Sequence, residues 1–117
     1  MLMKRFFFSF IYAWKGLVYA FRTQLNFKFH SLASAIAIAI GYLLEINTHE
    51  WLWILLAIGL VLTAELFNTA LEVLVDLVSP EYHPKAGVVK DLSAAAVLIT
   101  AVVAIGIGLM VFLPKIF

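Results

Sequence analysis

Glu65, Asn68, Glu72 and Asp76 set three carboxylates and an amide into the most apolar region of a chain that is 65% hydrophobic and only 13% charged. At about 100° per residue the four fall within one narrow arc of a helix, a stripe and not a scatter. Ionisable groups at membrane depth are costly unless they face protein or a watery cavity, so such a stripe marks a place where chemistry is done. Phosphoryl transfer suits it. Mg²⁺ takes oxygen ligands, typically one or two carboxylates plus substrate phosphates, and Glu72 offers one, with Asp76 a turn further along to assist. Lys90 supplies a cation for phosphate oxygens, and a helix beginning just after it would add backbone N–H groups and a positive dipole end. A site of this kind works by positioning and charge neutralisation. Glu65 is then available to accept the proton of an attacking hydroxyl.

The elements that must hold these residues follow from hydropathy. With a mean hydropathy of +1.07 over 117 residues, the chain lies far from soluble domains, where about 25% of residues are charged. It reads as an all-α integral membrane protein with a single domain over residues 1–117. The absence of cysteine excludes disulfides and thiolate metal sites. Residues 1–29 mix ten aromatics with Lys4, Arg5, Lys15, Arg22 and Lys28, the pattern of an amphipathic helix lying in the headgroup region. A signal peptide is the alternative, and Lys15 interrupts the apolar run that it would need. Transmembrane helices are expected at 29–46, 51–78 and 92–113, the first with an uncharged stretch, Ser31 to Leu44, that is short for a ~30 Å bilayer. Ser79-Pro80 ends the second and Pro114-Lys115 the third. Asn47 to Glu50 and Ser79 to Asp91 are the linkers.

Seven of the eight basic residues lie before the first span or in the second linker, and only Lys115 lies on the other side. The N-terminus and second linker are therefore expected in the cytoplasm. That orientation brings Glu72, Asp76, Lys90 and Asp91 to the face where ATP and Mg²⁺ are found. Glu65 lies about 10 Å deeper, at ~1.5 Å per residue, within reach of a lipid headgroup. The arrangement joins a water-soluble substrate to a membrane-soluble one.

The run Glu65-Leu66-Phe67-Asn68-Thr69-Ala70-Leu71-Glu72-Val73-Leu74-Val75-Asp76, then Glu81-Tyr82-His83-Pro84, then Lys90-Asp91 ahead of Ala94-Ala95-Ala96-Val97, closely resembles the prokaryotic diacylglycerol kinase/undecaprenol kinase family. Ala13-Trp14-Lys15-Gly16 extends the likeness towards the N-terminus. The resemblance implies a homotrimer of subunits with a surface helix and three transmembrane helices, whose active sites are shared between neighbours and phosphorylate a lipid alcohol from MgATP. It implies Glu65 as general base with Asn68 beside it in the catalytic set, and Glu72 as metal ligand. Nucleotide contacts carry over to Arg5, Tyr12, Glu72, Glu81, Tyr82, His83, Lys90 and Asp91, while Asp76 and Ala94 fall beside the substrate. Where the family usually has a second metal-ligating Glu, this chain has Gln24. An amide keeps a carbonyl oxygen for Mg²⁺ and a place by the nucleotide, but brings no charge. Asn26 and His30, in Asn-Phe-Lys-Phe-His, are similar to the undecaprenol-kinase branch and are expected near the substrate or as interfacial anchors.

Two rival classes compete. Carboxylate rings from several subunits would line an ion or proton pathway, but Lys90-Asp91 at the cytoplasmic end of the stripe suits a nucleotide better than a cation conduit. A structural subunit, with the stripe fixing helix register, leaves the surface helix unexplained. Glu45 and His49 read as solvated turn residues. Ala33, Ala37, Gly41, Gly59, Ala64, Gly106 and Gly108 read as small residues that let helices pack closely.

Overall fold

Three short breaks interrupt helix along the chain, and each has a local cause. The computed structural model describes residues 1–117 as four helices: α1 (Leu2–Thr23), α2 (Leu25–Leu43), α3 (Thr48–Val78) and α4 (Pro84–Ile116). At the first break Gln24 alone is extended, with φ −112° and ψ 110°. Leu25 to Phe29, expected in the surface helix, therefore open α2 instead. Ala20 and Phe27 are both buried at this joint, so apolar packing on either side of Gln24 fixes the bend.

The second break is a Schellman turn. Ile46 N–H donates to Gly41 O and Glu45 N–H to Tyr42 O, both at 3.2 Å, and Glu45 takes the left-handed conformation, φ 51°. Glycine at 41 is required by contact: a Cβ there would lie 2.9 Å from the Trp51 ring and 3.0 Å from Ile46 Cδ1. Asn47 and Glu50 then form a reciprocal capping box, Glu50 N–H to Asn47 Oδ1 at 2.8 Å and Asn47 N–H to Glu50 Oε1 at 3.1 Å. Thr48 to Glu50 thus belong to α3 and not to a linker.

Ser79 and Pro80 end α3, and Pro84 at the first helical position starts α4, capped by His83 Nδ1 accepting from Lys85 N–H at 3.1 Å. The second linker shrinks to Ser79–His83. Lys90 consequently sits nearly two turns inside α4, so the free N–H groups of a helix start are not beside it, contrary to expectation. At the other end α4 runs through Pro114 to Ile116, because Pro114 gives up a single backbone bond at an exposed end.

Helices α3 and α4 pack along each other and are each long and apolar enough to cross a membrane; at ~1.5 Å per residue they measure about 46 and 50 Å. A small apolar core of Ile46, Ile54 and Val111, flanked by Trp51 and Phe112, closes the end away from the second linker. There Lys115 Nζ meets Glu50 Oε1 at 3.1 Å and ties the two ends together. Overall extents are 52 × 43 × 21 Å, and α1 packs on α2 and α3 but not on α4. Exposed Leu55, Leu98, Ile99 and Ile105 on α3 and α4 give the bundle an apolar outside.

Candidate active site

Along α3 the 3.6-residue repeat turns Glu65, Asn68, Glu72 and Asp76 to one side, and α2 and α4 decide what they meet. Glu65 is 1% exposed and Asn68 8%, both buried within the single chain. Ser93 on α4 donates its hydroxyl to Asn68 Oδ1 at 2.6 Å, and Asn68 Nδ2 donates to Glu72 Oε1 at 3.3 Å. With its carbonyl occupied by Ser93, the amide is turned so that its NH₂ faces the Glu72 carboxylate. Thr69, also buried, bonds back to Glu65 O at 2.9 Å and steadies that turn of α3. From α2, His30 brings Nε2 to 3.4 Å from Glu65 Oε1. The pair is close enough for an ionic contact, but the ring is not aligned for a formed hydrogen bond, so Oε1 counts as unpartnered.

Nearer the second linker the side chains are solvated. Lys90 Nζ donates to Asp76 Oδ1 at 2.6 Å, linking α4 to α3. Lys90 lies outside the apolar run 92–113, and this hydrogen bond holds its ammonium above the ordinary lysine range. Asp76 and Lys90, with Ser79, Glu81, Tyr82 and His83, surround a cavity of about 300 Å³. On the other side of His30 an apolar groove of about 260 Å³ runs between α2, α3 and α4, walled by small residues such as Ala33, Ala37, Ala57, Ala101 and Ala104. The stripe therefore runs from the polar cavity, lined by Asp76, to Glu65, whose neighbour His30 lines the apolar groove.

Glu65, Asn68, Glu72 and Asp76 follow one another along α3, with His30 beside Glu65, Ser93 bonded to Asn68 and Lys90 bonded to Asp76, and with Glu81, Tyr82 and His83 around the cavity at the polar end. Other expected residues stay apart from the stripe within one chain. Tyr12 stacks on Phe8, ring centroids 6.3 Å apart, under Lys15 of its own helix. Arg5 and Asn26 are exposed, Asp91 and Ala94 face outward on α4, and Gln24 is half-buried at the α1–α2 joint. His83 spends Nδ1 on the helix cap. Sequence reasoning passed over Ser93, whose signal was its place one turn after Lys90 at the start of an apolar run.

No three acidic or histidine side chains converge, so the chain does not form a closed cage for a metal. A single Glu72 carboxylate fits an ion such as Mg²⁺ that also takes phosphate oxygens and waters.

A sequence profile described as prokaryotic diacylglycerol kinase matches residues 11–112. The chain belongs to the prokaryotic diacylglycerol kinase family. Membership of a family of lipid kinases gives the reaction class. Within that family the chain is similar to the undecaprenol kinase of Bacillus subtilis (strain 168), 43% identical over 97% of this chain and 92% of the relative. It is also similar to the diacylglycerol kinase of Synechocystis sp., 42% identical over 91% of this chain and 61% of that longer relative. The Escherichia coli (strain K12) diacylglycerol kinase is 34% identical over 80% of this chain and 77% of the relative.

Proposed function

We propose that this lipid kinase transfers the γ-phosphoryl group of MgATP to the hydroxyl of a membrane lipid alcohol, undecaprenol or diacylglycerol, at the cytoplasmic face of a bacterial membrane. The observation that carries the reading is the polar stripe along one side of α3 from the buried Glu65 carboxylate, past the bonded pair Asn68 and Glu72, to Asp76 and Lys90 beside a polar cavity. Its two ends suit two substrates of opposite solubility. An apolar chain lying in the groove below His30 brings its hydroxyl to Glu65, and a triphosphate in the polar cavity meets Lys90.

Glu65 removes the acceptor proton as the new O–P bond forms and the bond from the γ-phosphorus to the β–γ bridging oxygen breaks, with ADP leaving, and its seclusion from bulk water keeps that proton transfer local. Lys90, held in place by Asp76, neutralises phosphate charge. Glu72, oriented by Asn68, is the protein ligand for Mg²⁺, which when bound screens charge on the phosphates. Arg5, Tyr12 and Gln24 complete the site from a neighbouring protomer. This requires a homotrimer in which α2, α3 and α4 all cross the membrane and α1 lies on its cytoplasmic surface. The large exposed apolar faces of α1, α3 and α4 support such packing in lipid. Resemblance of Asn26 to His30 to the undecaprenol-kinase branch and the match to the Bacillus relative favour undecaprenol as acceptor.

Purified protein in detergent, given ATP, Mg²⁺ and a panel of undecaprenol, shorter polyprenols and diacylglycerols, tests the reading through lipid phosphate formed per enzyme. Phosphorylation of at least one lipid alcohol, with undecaprenol turned over fastest, is expected. ATP hydrolysis with no lipid product, or no turnover on any alcohol, overturns it.

A further inference from the structure

The most secluded carboxylate in the chain has one polar neighbour that phosphoryl transfer, as proposed above, leaves idle. Glu65 Oε1 is buried without a hydrogen-bond partner, a state that is costly for a carboxylate oxygen. His30 Nε2 stands 3.4 Å away, on a side chain that is 20% exposed against 2% for Glu65. The distance is within hydrogen-bond reach, and what the pair lacks is alignment of the N–H with the oxygen. Both backbones are braced at this point, α2 by Ser34 Oγ donating to His30 O at 2.7 Å and α3 by Thr69 Oγ1 donating to Glu65 O at 2.9 Å. Phe29 meets the imidazole edge-on, ring centroids 5.7 Å apart, and limits its swing. His30 also lines the apolar groove, so the ring forms the wall between that groove and Glu65.

We propose that His30 is the positioning residue of the general base: Nε2–H donates to Glu65 Oε1, so that Oε2 alone is presented to the acceptor hydroxyl. A carboxylate has two equivalent oxygens and a soft terminal torsion. A donor that pins one oxygen fixes the direction of the other, as the outer hydrogen bond of a metal-bound histidine fixes its ring. Because the same imidazole walls the groove, the acceptor oxygen reaches Oε2 along the ring edge and arrives in a set orientation, which is where rate is gained in positioned reactions. This inference rests on the reading of Glu65 as base.

The test combines a spectroscopic and a kinetic readout on the full-length protein in detergent. With ¹⁵N-labelled histidine, the His30 ring is expected to show the Nε2–H tautomer, assigned by its loss in His30→Gln, and to shift in Glu65→Ala while His49 and His83 do not. In the lipid kinase assay His30→Phe, which keeps a flat ring but no donor, is expected to lose at least tenfold in kcat with KM for MgATP within twofold of the parent. His30→Gln, which restores an N–H donor, is expected to recover at least a third of that loss on a logarithmic scale. Full kcat in His30→Phe, or a His30 signal indifferent to Glu65→Ala, overturns the inference. Glu65→Gln serves as the separate control: if it stays active the base reading fails, whereas an inactive Glu65→Gln with an active His30→Phe sinks only the role of His30.

Discussion

Replacing Glu65 by Gln separates chemistry from packing more cleanly than any other change in this chain. The amide keeps the shape of the side chain, and the Thr69 bond to the Glu65 carbonyl is untouched because it is made to the backbone. What is lost is a group that can take a proton. General-base catalysis contributes about 10²–10⁴ in rate, which at about 1.4 kcal/mol per factor of ten is roughly 3–6 kcal/mol of barrier. Stability moves the other way or not at all. The side chain is 2% exposed, and the amide that replaces the carboxylate keeps an oxygen able to accept from His30, so the change takes away the burial cost of a charge and leaves that contact in place. Glu65→Gln is therefore expected to lose at least a hundredfold in kcat, to bind MgATP with near-parental affinity by calorimetry, and to unfold at the same or a higher temperature in detergent. The three measurements are made on one preparation. Near-normal turnover refutes the assignment of the base, and a drop in turnover accompanied by a lowered melting temperature refutes the separation of chemistry from packing.

Glu72→Ala is expected to abolish Mg²⁺-dependent turnover, while Gln24→Glu lowers the Mg²⁺ concentration giving half activity; an unchanged requirement in Gln24→Glu removes Gln24 from the metal site. Lys90→Ala is expected to weaken MgATP binding and turnover together, measured by calorimetry and lipid phosphate formed, and an effect on turnover alone would detach Lys90 from the nucleotide. Gly41→Ala drives a methyl against Trp51 and Ile46 and should destabilise by about 1–3 kcal/mol, the usual cost of overpacking, with kcat of the folded fraction unchanged; an unaltered melting temperature argues against the close contact. Native mass spectrometry is expected to show a trimer, since Arg5 and Tyr12 on α1 make no hydrogen bond or ion pair with the stripe inside one chain; an active monomer at high dilution removes the proposal of shared sites.

What the sequence determined by itself was the periodic part. Helical spacing put Glu65, Asn68, Glu72 and Asp76 on one side of α3, because side-chain direction in a helix is fixed by residue number alone. Hydropathy marked the apolar runs, and Ser79-Pro80 located the end of α3, but not the start of α4 at Pro84. Boundaries were less legible. Residues 25–29 read as the end of the surface helix and 84–91 as linker, yet the former open α2 beyond the break at Gln24 and the latter are the first turns of α4, where Phe27 is buried and His83 caps the helix. Tertiary structure alone decided the contacts between helices. Ser93 sits 25 residues from Asn68 in the chain, and His30 sits 35 before Glu65; nothing in their spacing couples them. The crossing of α2, α3 and α4 sets those pairs together at 2.6 and 3.4 Å. Periodicity fixes which way a residue points on its own helix, but only the packing of one helix on another fixes what it meets.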